Sequence, residues 1–190
     1  MRMARISKLL FTPVDHELDF PANLLIESLR SLAWLGEVFP QGPASSFFIG
    51  ADFFKYITFM GCAPAMRLEP QTEDDLNFCF IHINTGQNEP LFRGHEAQFV
   101  PRCPACRHGL SDWQAELTRW QADHHATFSC PHCSAQLSIP QVNWREKAAL
   151  GRCFIEVYSV YPHEGIPTPA FLSHLKTITG VEWKYFYEPA

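Results

Sequence analysis

Four cysteines stand in two pairs, Cys103-Pro-Ala-Cys106 and Cys130-Pro-His-Cys133, with twenty-three residues between the pairs. A C-x-x-C turn holds two sulfurs on one side of an ion and directs backbone N–H groups at them. Two such turns therefore supply the four soft ligands that a tetrahedral zinc takes. The proline after each first cysteine stiffens its turn. One zinc per chain is expected, held by Cys103, Cys106, Cys130 and Cys133, although iron fits the same tetrathiolate set. With four thiolate ligands no coordination position is left for the water that hydrolytic zinc activates, so the metal is read as structural. His108, His124, His125 and His132 lie in the same stretch and are read as surface or outer groups, because four well-spaced cysteines already fill the shell.

The two C-P-x-C knuckles resemble those of the zinc-ribbon superfamily, in which such turns sit at the tips of short β-hairpins and clamp one metal. The resemblance covers about residues 101 to 140 and implies a metal site rather than an activity. This chain departs from the pattern at Ser134, where many ribbons carry glycine, and that predicts a less regular second hairpin. The pairs are also slightly further apart than usual, which leaves room for an additional element. Cys-Pro-His-Cys is similar as well to the active-site tetrapeptide of periplasmic disulfide oxidoreductases of the thioredoxin fold. That chemistry needs a helix beginning at the motif to lower the first thiol's pKa, whereas residues 134 to 140 are too few and too strand-like to form one.

The additional element has a sequence signature. Ser111 with Gln114 makes a capping-box start, and Trp113, Leu117 and Trp120 fall at i, i+4 and i+7 on one face of a helix running to Asp123. On one reading this face packs on the main domain. On the other, Trp113 and Trp120 beside Arg107 and Arg119 form an exposed surface for a protein, or for a single-stranded nucleic acid whose bases stack on aromatic rings.

The elements that position this stretch are written in hydrophobic spacing. Leu24, Leu25, Leu29, Leu32 and Leu35 predict a helix over residues 21 to 35 with Gly36 as its stop. Residues 47 to 61 read as one or two strands, 76 to 83 as another, and 84 to 101 as loop. Asn143 in front and Gly151 behind predict a short helix over 143 to 150, and residues 153 to 161 alternate as a strand. Thr168 as N-cap, Pro169 at the first helical position and Gly180 at the end predict a helix, followed by a strand over 181 to 187. Together these make an α+β fold: an antiparallel or mixed sheet with helices on one face. Residues 1–98 and 144–190 form one domain, and residues 99–143 an inserted zinc-ribbon-like module.

Composition narrows the function. The apolar fraction of 46% and aromatic fraction of 14% require a substantial core. Net charge is -5, with seven basic against twelve acidic side chains in residues 1 to 98 and near balance elsewhere. Nucleic-acid binding is disfavoured, because coating phosphates needs a basic face. No apolar run is long enough to span a bilayer, and the N-terminus lacks a secretory pattern. A cytoplasmic protein is expected. The odd count of seven cysteines rules out a fully paired disulfide framework within one chain. Cys62, Cys79 and Cys153 stand alone in apolar contexts and read as core, with Gly61-Cys62-Ala63-Pro64 a weak candidate for a nucleophile turn. No nucleotide-binding, hydrolase or metalloprotease motif is present. The leading expectation is a non-enzymatic adaptor with a structural zinc and another protein as partner. An enzyme with a site between sheet and ribbon is second, and a nucleic-acid-binding module third.

Overall fold

The computed structural model of the chain describes residues 6–59, 66–95 and 99–190; the expected turn at Cys62 lies outside them. The first elements are β1 (Lys8–Pro13), α1 (Ala22–Ser31), β2 (Leu35–Val38), β3 (Ser46–Ile49), α2 (Phe53–Tyr56), β4 (Ile57–Phe59), β5 (Phe80–Asn84) and β6 (Leu91–Gly94). Next come α3 (Trp113–Ala122), β7 (Phe128–Ser129), β8 (Gln136–Leu137), a 3-10 turn (Ile139–Gln141) and β9 (Ala148–Gly151). The chain ends with β10 (Phe154–Tyr158), β11 (Gly165–Pro167), α4 (Pro169–Thr179) and β12 (Trp183–Glu188).

Six strands form an antiparallel sheet in the order β12-β1-β10-β5-β3-β2. Register divides its side chains into two rows, as the period of two requires. Tyr187, Leu9, Val157, Ile81 and Phe47 stand opposite one another on one face. There α1 contributes Leu25 and Leu29, and α4 contributes Phe171 and Leu175, to the main core. Phe186, Leu10, Glu156, His82 and Ser46 form the alternate row. On that second face Leu10, Phe154 and Phe186 pack with Ala149 of β9, while Phe39, Phe78 and Phe80 make a separate aromatic cluster. The α+β class and the helices on one face are as the sequence implies.

The last helix is written locally and found as written. The Phe171 N–H donates to Thr168 Oγ1 at 3.3 Å, Pro169 opens the helix, and Gly180 closes it in the left-handed conformation at φ 75°. The first helix is shorter than its leucine spacing predicts. It stops at Ser31, and Ala33 at φ 52° turns the chain so that Leu35 enters β2. Gly36 is therefore not a helix stop. It lies in β2, where a Cβ would meet the Ile49 carbonyl oxygen at 2.7 Å, so glycine is needed for close strand approach.

Three further expectations are corrected. Residues 47 to 59 do hold two strands, β3 and β4, but an unexpected short helix, α2, lies between them. Within 84 to 101, read as loop, β6 pairs with β9. Residues 143 to 150 are not helical. Asn143 Oδ1 accepts from the Arg145 N–H at 2.9 Å, and Arg145 and Glu146 follow at φ 55° and 58°, after which the chain is extended as β9. The Asn143 side chain that can cap a helix serves a turn instead, and a long-range strand partner outweighs local propensity.

Between β6 and β9 lies a second core, in which Trp113, Leu117 and Trp120 of α3 join Leu110, Leu137, Ile139 and Trp144. Among the described residues no helix is long and apolar enough to cross a membrane.

Candidate metal centre

The two knuckles are built alike. In the first, the Arg107 N–H donates to the Cys103 carbonyl and the Cys103 N–H to the His108 carbonyl, both at 2.9 Å. In the second, the Ser134 N–H donates to the Cys130 carbonyl and the Cys130 N–H to the Ala135 carbonyl, again at 2.9 Å. Each turn reverses through a left-handed residue after its second cysteine, Arg107 at φ 62° and Ser134 at φ 59°. The second hairpin, β7 with β8, is thus as regular as the first, with a serine bearing the strain that glycine would avoid.

The turns bring the four sulfurs together, all within 4.8 Å of one another. Cys103 Sγ lies 3.8 Å from Cys133 Sγ, and Cys106 Sγ lies 3.8 Å from Cys130 Sγ. A tetrahedron with zinc–sulfur bonds of about 2.3 Å has edges of about 3.8 Å, so the cluster is dimensioned for a metal and is far too open for disulfide bonds. Cys103 and Cys130 are buried, and Cys133 is exposed. The Cys133 and His132 backbone N–H groups aimed at Cys130 outweigh its desolvation and hold its thiol at about 6. At Cys106 the His108 backbone N–H favours the thiolate, but desolvation and the three neighbouring sulfurs push the thiol up to about 12. Four clustered sulfurs resist joint ionisation until a cation joins them, and a divalent ion supplies that charge.

The redox alternative has no support here. After Cys130-Pro-His-Cys133 the chain continues into β8, not a helix, and Cys130 and Cys133 each make a 3.8 Å sulfur contact to a cysteine of the other knuckle. Histidines stay outside the sulfur cluster. His108 and His132 stack on each other at 4.6 Å, and His124 stacks on Trp120 at 4.4 Å.

The tryptophan surface is a correction. Trp113 and Trp120 are each 1% exposed, because α3 turns its apolar face into the second core, where Trp113 packs on Phe99, Phe92 and Trp144. Their indoles offer no face to a partner. Arg107 is exposed, and Arg119 is held by Glu116 Oε2 at 2.8 Å. Cys79 and Cys153 are core thiols, and burial pushes Cys79 up to about 12.

Two features escaped the sequence reading. The first is an ionic cluster on the second face of the sheet. Glu156, 1% exposed, is bound by Lys8 Nζ at 3.0 Å, by Arg93 at 3.0 Å and by Asn84 Nδ2 at 3.2 Å. Burial raises its carboxyl, but the Arg93 and Lys8 cations and His82 outweigh that and hold it below the ordinary carboxylate range. Ser46, His82 and Glu156 stand side by side in register, the residue types of a hydrolytic triad. The geometry is not that of one: Ser46 Oγ and His82 Nδ1 are buried without hydrogen-bond partners, and His82 lies 3.9 Å from Glu156. The second feature is a cleft of about 410 Å³ where the module meets β12, with His95, Arg145, Lys147, His163, Tyr185 and Tyr187 among its walls.

No protein-family model matches the chain, and neither a curated protein nor a solved structure matches it significantly.

Proposed function

We propose that the chain is a zinc-dependent interaction protein: the metal is structural, and the two knuckles present a rigid face to a partner protein in a reducing compartment such as the cytoplasm. One observation carries this reading, the four sulfurs gathered within 4.8 Å of one another, with the Cys103–Cys133 and Cys106–Cys130 edges at the 3.8 Å of a zinc tetrathiolate. They leave a bound zinc no open position, so its role is to hold shape. The knuckle tips Pro104, Arg107, His108, Pro131 and His132 are all exposed, and they replace the tryptophan stripe as the docking face.

Metal analysis of the purified chain, paired with a thiol count before and after chelation, tests the site: about one zinc per chain and four thiols released are expected. Docking is tested by affinity capture with the wild type and with His108→Glu/His132→Glu. A partner retained equally by both, or by the chelated chain, would sink the knuckle face as the docking site. An enzyme is the second reading, favoured by the cleft beside β12 with its convergent histidines and cations.

A further inference from the structure

We propose that the cleft between the module's exit turn and β12 binds a small, flat organic anion, its carboxylate or phosphate held by Arg145 and Lys147 and its body lying against Tyr185 and Tyr187. The cleft holds about 410 Å³, within the size range of small-ligand sites. Its charge is unmatched: among the described residues neither the Arg145 nor the Lys147 side chain has an ion-pair or hydrogen-bond partner, although the chain as a whole carries a net charge of -5. Among the described lining residues Glu146 is the one carboxylate, so there the pair of cations exceeds it by one. His95 and His163 also line the cleft, and His95 Nδ1 is buried with no partner among the described residues, a group whose retention calls for a reason.

The cleft also has an aromatic lining on β12. Tyr185 and Tyr187 stand perpendicular, with ring centroids 6.1 Å apart. The Tyr187 hydroxyl donates to the Gly165 carbonyl at 2.7 Å, which leaves its ring as a wall rather than a polar contact. His163 lies 5.3 Å from that ring. Three of the eight left-handed non-glycine residues among those described line this cleft. Arg145, Glu146 and His163 have φ of 55°, 58° and 68°, conformations that cost about 1–2 kcal/mol each outside glycine. The Asn143 side chain holds the first of them. Strain kept at a cavity wall is common where a side chain must be aimed. An anion with an apolar, planar body matches both the cations and the rings; inorganic anions match one, and neutral aromatics the other.

The test uses the zinc-loaded 190-residue chain and titration calorimetry with benzoate, phenyl phosphate, inorganic phosphate and benzyl alcohol. Benzoate or phenyl phosphate should bind with a Kd of about 1 mM or tighter, and whichever is tighter identifies a carboxylate or a phosphate site. Inorganic phosphate and benzyl alcohol should bind at least tenfold more weakly. Arg145→Gln/Lys147→Gln should lose tenfold or more in affinity for the favoured acid while keeping zinc content and thermal midpoint. Glu146→Gln should tighten it severalfold, a gain that partial unfolding cannot mimic. Absence of saturable binding by both aromatic acids, equal binding of inorganic phosphate, or unchanged affinity in the double variant would overturn the proposal. It is independent of the docking role, and zinc content measured on the same samples separates failure of the cleft from failure of the metal site.

Discussion

Arg93 on β6 meets Glu156 on β10 with both guanidinium nitrogens, each 3.0 Å from a carboxylate oxygen. Its Nη2 also reaches Glu188 Oε2 on β12 at 3.0 Å, and the Gly94 N–H donates to Glu188 Oε1 at 3.2 Å. The strand that leads into the cysteine module is thereby tied to two strands of the sheet, to β10 through the buried Glu156 and to β12 through the part-buried Glu188. The arrangement is paired and bidentate, which is the form in which a buried charge is tolerated.

Breaking that pair from one side should therefore be costly. Arg93→Met leaves Glu156 buried with Lys8 as its remaining cation, and a loss of about 3–5 kcal/mol is expected in urea unfolding. The double variant Arg93→Met/Glu156→Gln should recover part of that loss, since no uncompensated charge stays behind. Equal stability of Arg93→Met and the wild type would mean that the ion cluster contributes nothing to holding the module base.

Acid should weaken the same region in two stages. The folded pKa of His82 is depressed from 6.5, chiefly by burial. The unfolded chain therefore takes up a proton below 6.5 that the folded chain refuses, and stability begins to fall there. The folded pKa of Glu156 is depressed from 4.5, so its contribution is complete above that value and is lost as pH falls through the lower folded value. Thermal midpoints measured from pH 7 downward should decline in the wild type. His82→Gln should flatten the first stage and Glu156→Gln the second. Reading each variant as its difference from the wild type cancels acid release of the metal, common to all three. A His82→Gln profile parallel to the wild type just below 6.5 would remove His82 from the account.

Ser134 sits at φ 59°, where glycine carries no penalty. Ser134→Gly should relieve about 1 kcal/mol of backbone strain, offset in part by the greater freedom of glycine in the unfolded chain. The net expectation is a small rise in the zinc-loaded thermal midpoint and slower zinc loss to a chelator. A faster loss would show that the serine supports the knuckle in some way its backbone geometry does not.

What was legible in the sequence is what local chemistry decides. The C-x-x-C turns close their hydrogen bonds within six residues, so the metal cluster could be read off spacing. Thr168, Pro169 and Gly180 wrote both ends of α4, and the i, i+4, i+7 spacing marked the face that α3 buries. What the face is buried against was not legible, because the second core that takes up Trp113 and Trp120 is assembled from Phe99, Leu137 and Trp144, distant in the chain. β9 was misread for the same reason: Ala148, Ala149 and Leu150 are good helix formers, and only their register with β6 makes them a strand. Glu156 gave no sign either, since one acidic residue in an aromatic strand looks like an outward-facing position until Arg93 and Lys8 arrive from elsewhere.

The metal assignment yields the sharpest contrast between cysteines. Cys130→Ser removes one of four ligands from a cluster whose sulfurs cannot all ionise without a cation, and metal binding there is coupled to folding. Zinc should be lost and α3 should melt, because Trp113 and Trp120 belong to the core that also contains Cys103 and Cys130. Cys79→Ser changes a fully buried thiol on the opposite side of the sheet. It should cost about 1–3 kcal/mol for a poorly partnered hydroxyl while leaving zinc content intact. Zinc content by mass spectrometry and protease protection of α3 separate the two. If Cys130→Ser kept one zinc per chain and a protected α3, the four sulfurs would not be the metal's ligands. Loss of zinc with α3 still protected would instead mean that the tryptophan core holds the module without its metal.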